Sequence, residues 1–279
     1  MRQSTLSTTS NIRKTSGTLS VAASLCVVMC VGAPRAEAQL VAPGAAGTAM
    51  GHLHLTVRDA EEYRRVWVAL GGVPITNGRL QFIQFPGVLM MVRQAEPTGE
   101  MAGSAVDRFG FLVKNMEASL TKWRAAGLKL DPPAKATEAT LMAPDGVRVD
   151  LVEDKSLDVP VKMQTIHFNT ASPAETQAWY VKTFGAVPGK RGPLVTAALP
   201  GVTLTFSKAS GAVAPTKGRS LDHIGFIIKD LEQFVRKLEA SGVKMDRPFG
   251  QVPNSKVTFA FLIDPWGTYI ELNEYLAPE

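Results

Sequence analysis

Cysteine is nearly missing from this 279-residue chain, and the two present, Cys26 and Cys30, both fall within the first 38 residues. Beyond residue 38 there is no thiol for a disulfide, a thiolate metal site or a cysteine nucleophile, so three kinds of chemistry are excluded together. Excess charge of one sign is also scarce. After residue 38 the chain carries 26 basic and 24 acidic residues, so most of the whole-chain net charge of +5 belongs to the leader. That balance gives no reason to expect nucleic acid or a membrane surface as a partner. Long apolar runs are lacking too, because the stretch from Leu19 to Ala33 is too short to span a bilayer comfortably. There is no nucleotide-binding glycine loop, no nucleophile elbow and no paired-acid arrangement. Histidine is rare as well: the chain has only His52, His54, His167 and His223.

What is present begins with an export signal. Arg13 and Lys14 precede the apolar stretch, and Ala36-Glu37-Ala38 supplies a small-x-small cleavage site. Residues 1–38 are therefore read as a signal peptide, cleaved near Ala38, which makes the mature chain periplasmic or secreted. Residues 39–50, rich in Ala, Gly and Pro without a period, read as a disordered leader.

The rest is repetitive. A unit of roughly 57 residues occurs four times, each reading as strand, helix ending in Gly, then strands. The helix-end glycines are Gly71, Gly127, Gly185 and Gly242, spaced by 56, 58 and 57 positions. Asp59 and Asp230 stand where caps start the first and fourth helices, Ser172-Pro173 opens the third, and Asn77-Gly78 and Asp264-Pro265-Trp266-Gly267 are turn sequences. Trp67 and Trp123 each precede the helix-end Gly by four residues, marking a repeated core position. The charged, Pro160-containing stretch from Glu153 to Lys162 is the expected domain boundary, giving domains at 51–155 and 160–279.

DHIGFIIKD (222–230), LEASGV (238–243) and DPWGTYIELNEY (264–275) resemble the vicinal oxygen chelate superfamily, which includes glyoxalase I, bleomycin resistance proteins and extradiol dioxygenases. GHLHLTVRD (51–59) and IHFNTASPAETQAWYVKTFG (166–185) resemble it more weakly, and together these segments carry the likeness over essentially all of the chain after residue 50. The resemblance implies an α+β fold of four βαβββ modules, paired into two half-open sheet cups. It also implies metal ligands on the first and last strands of each module.

Counted out under that resemblance, the C-terminal pair of modules offers His167, Thr205, His223 and Glu271. Thr205 sits four residues after Gly201, as Glu271 sits four after Gly267. Glyoxalase I and its relatives place a carboxylate at the position of Thr205, so the expected metal set is His167, His223 and Glu271. Two imidazoles and a carboxylate suit a non-haem Fe(II) facial triad or a His2Glu zinc site equally. An unpaired Glu271 in an otherwise apolar strand would be costly to bury, although a vestigial site remains the alternative. The N-terminal pair reads as degenerate, holding His52 or His54, an apolar residue near Met90, Arg108 in place of His223, and Asp150 in place of Glu271. Because Arg stays protonated and cannot ligate, Arg108 and Asp150 are expected to form an ion pair where a metal would sit.

Two functions fit. One is an enzyme with a single divalent metal (Fe, Mn or Zn) acting on a small substrate with vicinal oxygens by dioxygenase-like, lyase or isomerase chemistry. The other is a small-ligand-binding or sequestering protein of the bleomycin-resistance type. No catalytic residue beyond the metal ligands is assigned, and a homodimer is an option the resemblance leaves open. Extradiol cleavage is disfavoured, since Gln251 to Lys256 contains no His and Phe261 stands where the family has Tyr. Uptake of metal outside the cell would favour zinc or manganese over ferrous iron.

Overall fold

The computed structural model describes residues 40–131 and 135–276. The signal segment read at 1–38 lies outside the described residues. Among those residues no helix is long and apolar enough to cross a membrane.

Four βαβββ modules follow one another. The first comprises β1 (Thr48–Val57), α1 (Ala60–Leu70), β2 (Val73–Asn77), β3 (Leu80–Phe85) and β4 (Val88–Gln94). The second comprises β5 (Val106–Val113), α2 (Met116–Ala125), β6 (Leu130–Asp131), β7 (Glu138–Ala143) and β8 (Val147–Glu153). The third comprises β9 (Val161–Thr170), α3 (Pro173–Phe184), β10 (Val187–Arg191), β11 (Leu194–Leu199) and β12 (Val202–Lys208). The fourth comprises β13 (Leu221–Ile228), α4 (Leu231–Ala240), β14 (Met245–Gln251), β15 (Thr258–Ile263) and β16 (Tyr269–Glu274). The four helix-end glycines all take positive φ, between 67° and 126°, which is why each repeat places Gly where its helix stops. Asp59 caps α1 through the Glu61 and Glu62 amides. Asp230 does not cap α4; it sits at φ 57°, and the Glu274 carboxylate accepts from the Asp230 and Leu231 amides instead.

The modules form two open eight-stranded sheets, but not in the order expected from sequence. One sheet runs β14-β15-β16-β13-β1-β4-β3-β2, the other β10-β11-β12-β9-β5-β8-β7-β6. The first module thus shares a sheet with the fourth, and the second with the third, through the antiparallel pairs β1–β13 and β5–β9. A split into domains at 51–155 and 160–279 is therefore replaced by an outer and an inner pair. Glu153 to Lys162 joins two strands of one sheet, and the crossings between sheets are made by the connectors around residues 95–105 and 209–220. These connectors bond to each other: Thr98 N donates to Gly218 O, Ser220 N to Gly99 O, and Ala105 N to Ala214 O. Residues 40–50 are also more ordered than a loose leader. Leu40 packs near Phe82 and Leu89, Lys229 N donates to Gly47 O, and Thr48 already lies in β1.

Alternation along each first and last strand explains the layering. In β1, Leu53, Leu55 and Val57 turn into the core while His52, His54 and Thr56 take the opposite face. In β13 the core residues are Ile224, Phe226 and Ile228, and in β16 they are Ile270 and Leu272. The aromatic core joins the modules. Trp67 of α1 packs on Phe85 and on Phe109 of the other sheet, and Phe184 of α3 packs on Phe226. Trp67 and Trp123 are both buried, as their repeated position predicts. Trp266 packs against Trp179, with ring centroids 6.3 Å apart.

Candidate metal centre

The face of the outer sheet opposite its apolar core gathers His52, His54, His223 and Glu271. Strand register dictates this: His54 lies opposite His223, while Gly225 lies between His52 on one side and Glu271 on the other. One potential ligand atom from each of His52, His223 and Glu271 falls within 4.8 Å of the others. Glu271 Oε2 sits 2.9 Å from His223 Nε2 and 3.1 Å from His52 Nε2.

His167 is not part of this cluster. It lies on β9 of the inner sheet, opposite Arg108 and Thr205, with Nε2 4.0 Å from Asp150 Oδ2. Counting placed His167 on the first strand of its module but assigned it to the wrong partner module. His167 therefore lies in a different sheet from His223 and Glu271, and the group the structure brings together is His52, His223 and Glu271. Thr205 stays with His167, its hydroxyl 3.1 Å from that of Thr165. The position read near Met90 belongs to Leu89 and Met91, which lie opposite His52 and His54, whereas Met90 lies opposite Leu53 of the core. Arg108 and Asp150 form the ion pair anticipated from sequence, Nε to Oδ2 at 2.9 Å.

Neighbouring groups hold the outer cluster. Asp222 Oδ1 lies 2.6 Å from His223 Nδ1, which orients the ring with Nε2 toward Glu271. Asn273 Nδ2 donates to Glu271 Oε1 at 2.8 Å, so the carboxylate is gripped by one oxygen and leaves the other for the imidazoles. Gly225 makes room: a Cβ there would fall 2.0 Å from the His52 ring. Asp222, Asn273 and Gly225 were missed from sequence. Only register reveals them, although Asp222 and Gly225 flank His223 in the segment DHIG.

Electrostatics follow from burial and these contacts. Burial lowers the pKa of His52 despite the adjacent Glu271 carboxylate, so this imidazole is neutral. Burial, with His223 and His52 beside it, pushes His54 down to about 3. Burial would lower His223 as well, but its bonds to Asp222 and Glu271 outweigh that and raise it. Burial alone would raise Glu271, yet His223 and His52 hold it well below the usual carboxylate range.

The fit to a cation rests on His52. This imidazole is fully buried, its Nδ1 has no partner, and its Nε2 meets Glu271 Oε2 at 3.1 Å. A buried, neutral imidazole beside a carboxylate and a second imidazole is a donor set that could hold a divalent transition metal. The remaining walls are aromatic. Phe261 and Tyr269 stack at 5.1 Å and meet the His223 ring edge-on at 5.4 and 5.6 Å. Phe261 shares a register row with Glu271, so no phenol hydroxyl is present at that place.

Comparison with known proteins agrees with this architecture. Residues 162–272 match the profile of the Glyoxalase/Bleomycin resistance protein/Dioxygenase superfamily. Among curated proteins, none matches the chain. Glyoxalase I from Zea mays superposes with a TM-score of 0.66 at 16% identity, over 81% of this chain and 92% of that one. A candidate dioxygenase from Bacillus subtilis superposes with a TM-score of 0.63 at 14% identity, over 82% and 86%. At such identities the likeness is one of fold. The matched profile places residues 162–272 in the glyoxalase/bleomycin resistance protein/dioxygenase superfamily, and the superpositions extend the same fold over four-fifths of the chain.

Proposed function

We propose that this protein is a divalent-metal-dependent enzyme acting on a small substrate with neighbouring oxygens, through a centre held by His52, His223 and Glu271. The observation that carries the reading is the fully buried His52 imidazole, which converges with His223 on Glu271. A metal bound there would supply charge stabilisation to the substrate oxygens.

The chain's own residues then have distinct tasks. Asp222 fixes the His223 tautomer by accepting a hydrogen bond from Nδ1–H, leaving Nε2 to ligate. Asn273 keeps Glu271 from turning away. Neutral His54, whose Nδ1 lies 3.2 Å from His223 Nε2, accepts a hydrogen bond from a substrate hydroxyl without adding positive charge to the site. Phe261 and Tyr269 exclude water from one flank. The absence of a hydroxyl at Phe261 favours lyase or isomerase chemistry over dioxygen-dependent ring cleavage. The basic-then-apolar leader ending at Ala38 supports action outside the cytoplasm, where zinc or manganese would be taken up.

The test combines elemental analysis with turnover. The purified chain should hold one equivalent of divalent metal, lost in His52→Ala and His223→Ala and kept in His167→Ala. It should also consume members of a panel of α-hydroxycarbonyl compounds and hemithioacetals only when metal is present. Metal retention in His52→Ala would refute the centre. Tight ligand binding without consumption would assign the protein to the sequestering class.

A further inference from the structure

The inner sheet repeats the geometry of the metal centre with different side chains. Its register sets Arg108 opposite His167, as His223 faces His54, and places Gly110 between Thr165 and Asp150, as Gly225 lies between His52 and Glu271. A guanidinium therefore replaces one imidazole and a hydroxyl another, and a guanidinium cannot ligate a cation.

What gathers there instead is positive charge. Arg108 donates Nε to Asp150 and Nη1 to Asp107, both at 2.9 Å, and Arg148 Nε lies 3.6 Å from Asp150 Oδ1. Arg191 shares this face through the row Gly189, Thr196, Thr205 and His167, and among the described residues no carboxylate pairs with it. Three guanidinium groups thus stand against two carboxylates. Burial, then Arg108, Arg191 and Arg148, push His167 down to about 3 and keep it neutral. This imidazole is 4% exposed, its Nδ1 is buried without a partner, and its Nε2 stops 4.0 Å short of Asp150. Surplus donors around a neutral, unbonded imidazole form an under-satisfied cluster that lacks an acceptor.

We propose that this face of the inner sheet binds a small oxyanion, a carboxylate or phosphate group, held by Arg148 and Arg191 over His167 and the braced Arg108. The side chain of Arg148 is half exposed and Arg191 is exposed, so these two meet the ligand first, while the ion pairs with Asp150 and Asp107 keep Arg108 in place. The site does not depend on the metal centre of the outer sheet.

Calorimetric titration of the full chain and of His223→Ala with inorganic phosphate, and separately with succinate, at low ionic strength tests this. Saturable one-site binding of at least one anion is expected in both proteins. Its affinity should fall about tenfold or more in Arg148→Ala and in Arg191→Ala, and in part only in Arg191→Lys. Whichever of phosphate and succinate binds more tightly identifies the group recognised. Both alanine variants alter solvent-exposed side chains, and thermal melts establish that they fold. The absence of saturable binding by either anion, or affinity unchanged in both alanine variants, would overturn the proposal.

Discussion

Gly225 and His52 face each other across the β1–β13 pair with no space for a further carbon, because a Cβ on Gly225 would lie 2.0 Å from His52 Nδ1. Glycine inside a central strand weakens it, so its presence here marks a side chain that must lie across the backbone. Gly225→Ala is predicted to drive the imidazole out of the cluster and abolish metal binding as completely as His52→Ala. It should destabilise the fold by about 1–3 kcal/mol through overpacking. Elemental analysis beside a denaturant melt separates the two effects, and a folded variant with full metal content would remove His52 from the ligand set.

Asp222 acts one step behind the ligands. Its 2.6 Å contact with His223 Nδ1 selects the ring tautomer, and Gly218 N donates to its other oxygen at 2.7 Å. Asp222→Asn should keep the fold and weaken metal affinity by roughly 10–100-fold, the usual scale for losing a carboxylate behind a ligating histidine. Competition with a chromogenic chelator measures this directly. An unchanged affinity would mean that His223 needs no orienting partner.

The sequence made His223 and Glu271 legible because each follows a repeat landmark, the start of the fourth module and the turn closed by Gly267. It also made Arg108 and Asp150 legible as a pair, since their positions mirror those two residues. Which modules share a sheet was not legible. Four interchangeable repeats give no local signal for the β1–β13 pairing, and neighbours in sequence pair by default because their closure is shortest. That default sent His167 to the wrong partner. Sequence neighbours do meet, but between the sheets rather than within one, as where Trp67 of the first module packs on Phe109 of the second and Phe184 of the third on Phe226 of the fourth. Asp230 failed as a cap because it sits at φ 57°, and Glu274, far along the chain, accepts instead from the Asp230 and Leu231 amides at the start of the helix.

Protons and metal compete at His223. Its folded-state pKa lies above the ordinary 6.5, since its bonds to Asp222 and Glu271 outweigh burial. In the metal-free protein this contribution to stability is complete below the unfolded value and is lost as pH rises through the folded one. Metal requires the deprotonated ring, so the gain in melting temperature on adding Zn2+ or Mn2+ should be small at acid pH and grow as pH rises. His223→Ala should show no such gain at any pH. Melting curves with and without metal, across about pH 5 to 9, check the sign. A gain that instead grew toward acid pH would contradict the assigned ligand.

Tyr180 links the third module to the turn that feeds Glu271. Its hydroxyl donates to Asp264 Oδ2 at 2.9 Å, while Asp264 Oδ1 accepts from the Trp266 and Thr268 amides at 2.9 and 2.7 Å. Asp264 is only 3% exposed, and burial raises its pKa against the pull of these bonds, so each partner counts. Tyr180→Phe removes one and leaves a buried carboxylate oxygen unsatisfied, at an expected cost of about 1–3 kcal/mol. Metal content should not change, because Glu271 is fixed by the β13–β16 and β15–β16 ladders and by Asn273 rather than by the turn. Urea unfolding paired with elemental analysis tests both halves. Loss of metal from folded Tyr180→Phe would show that the turn, and not the strand register, positions the carboxylate.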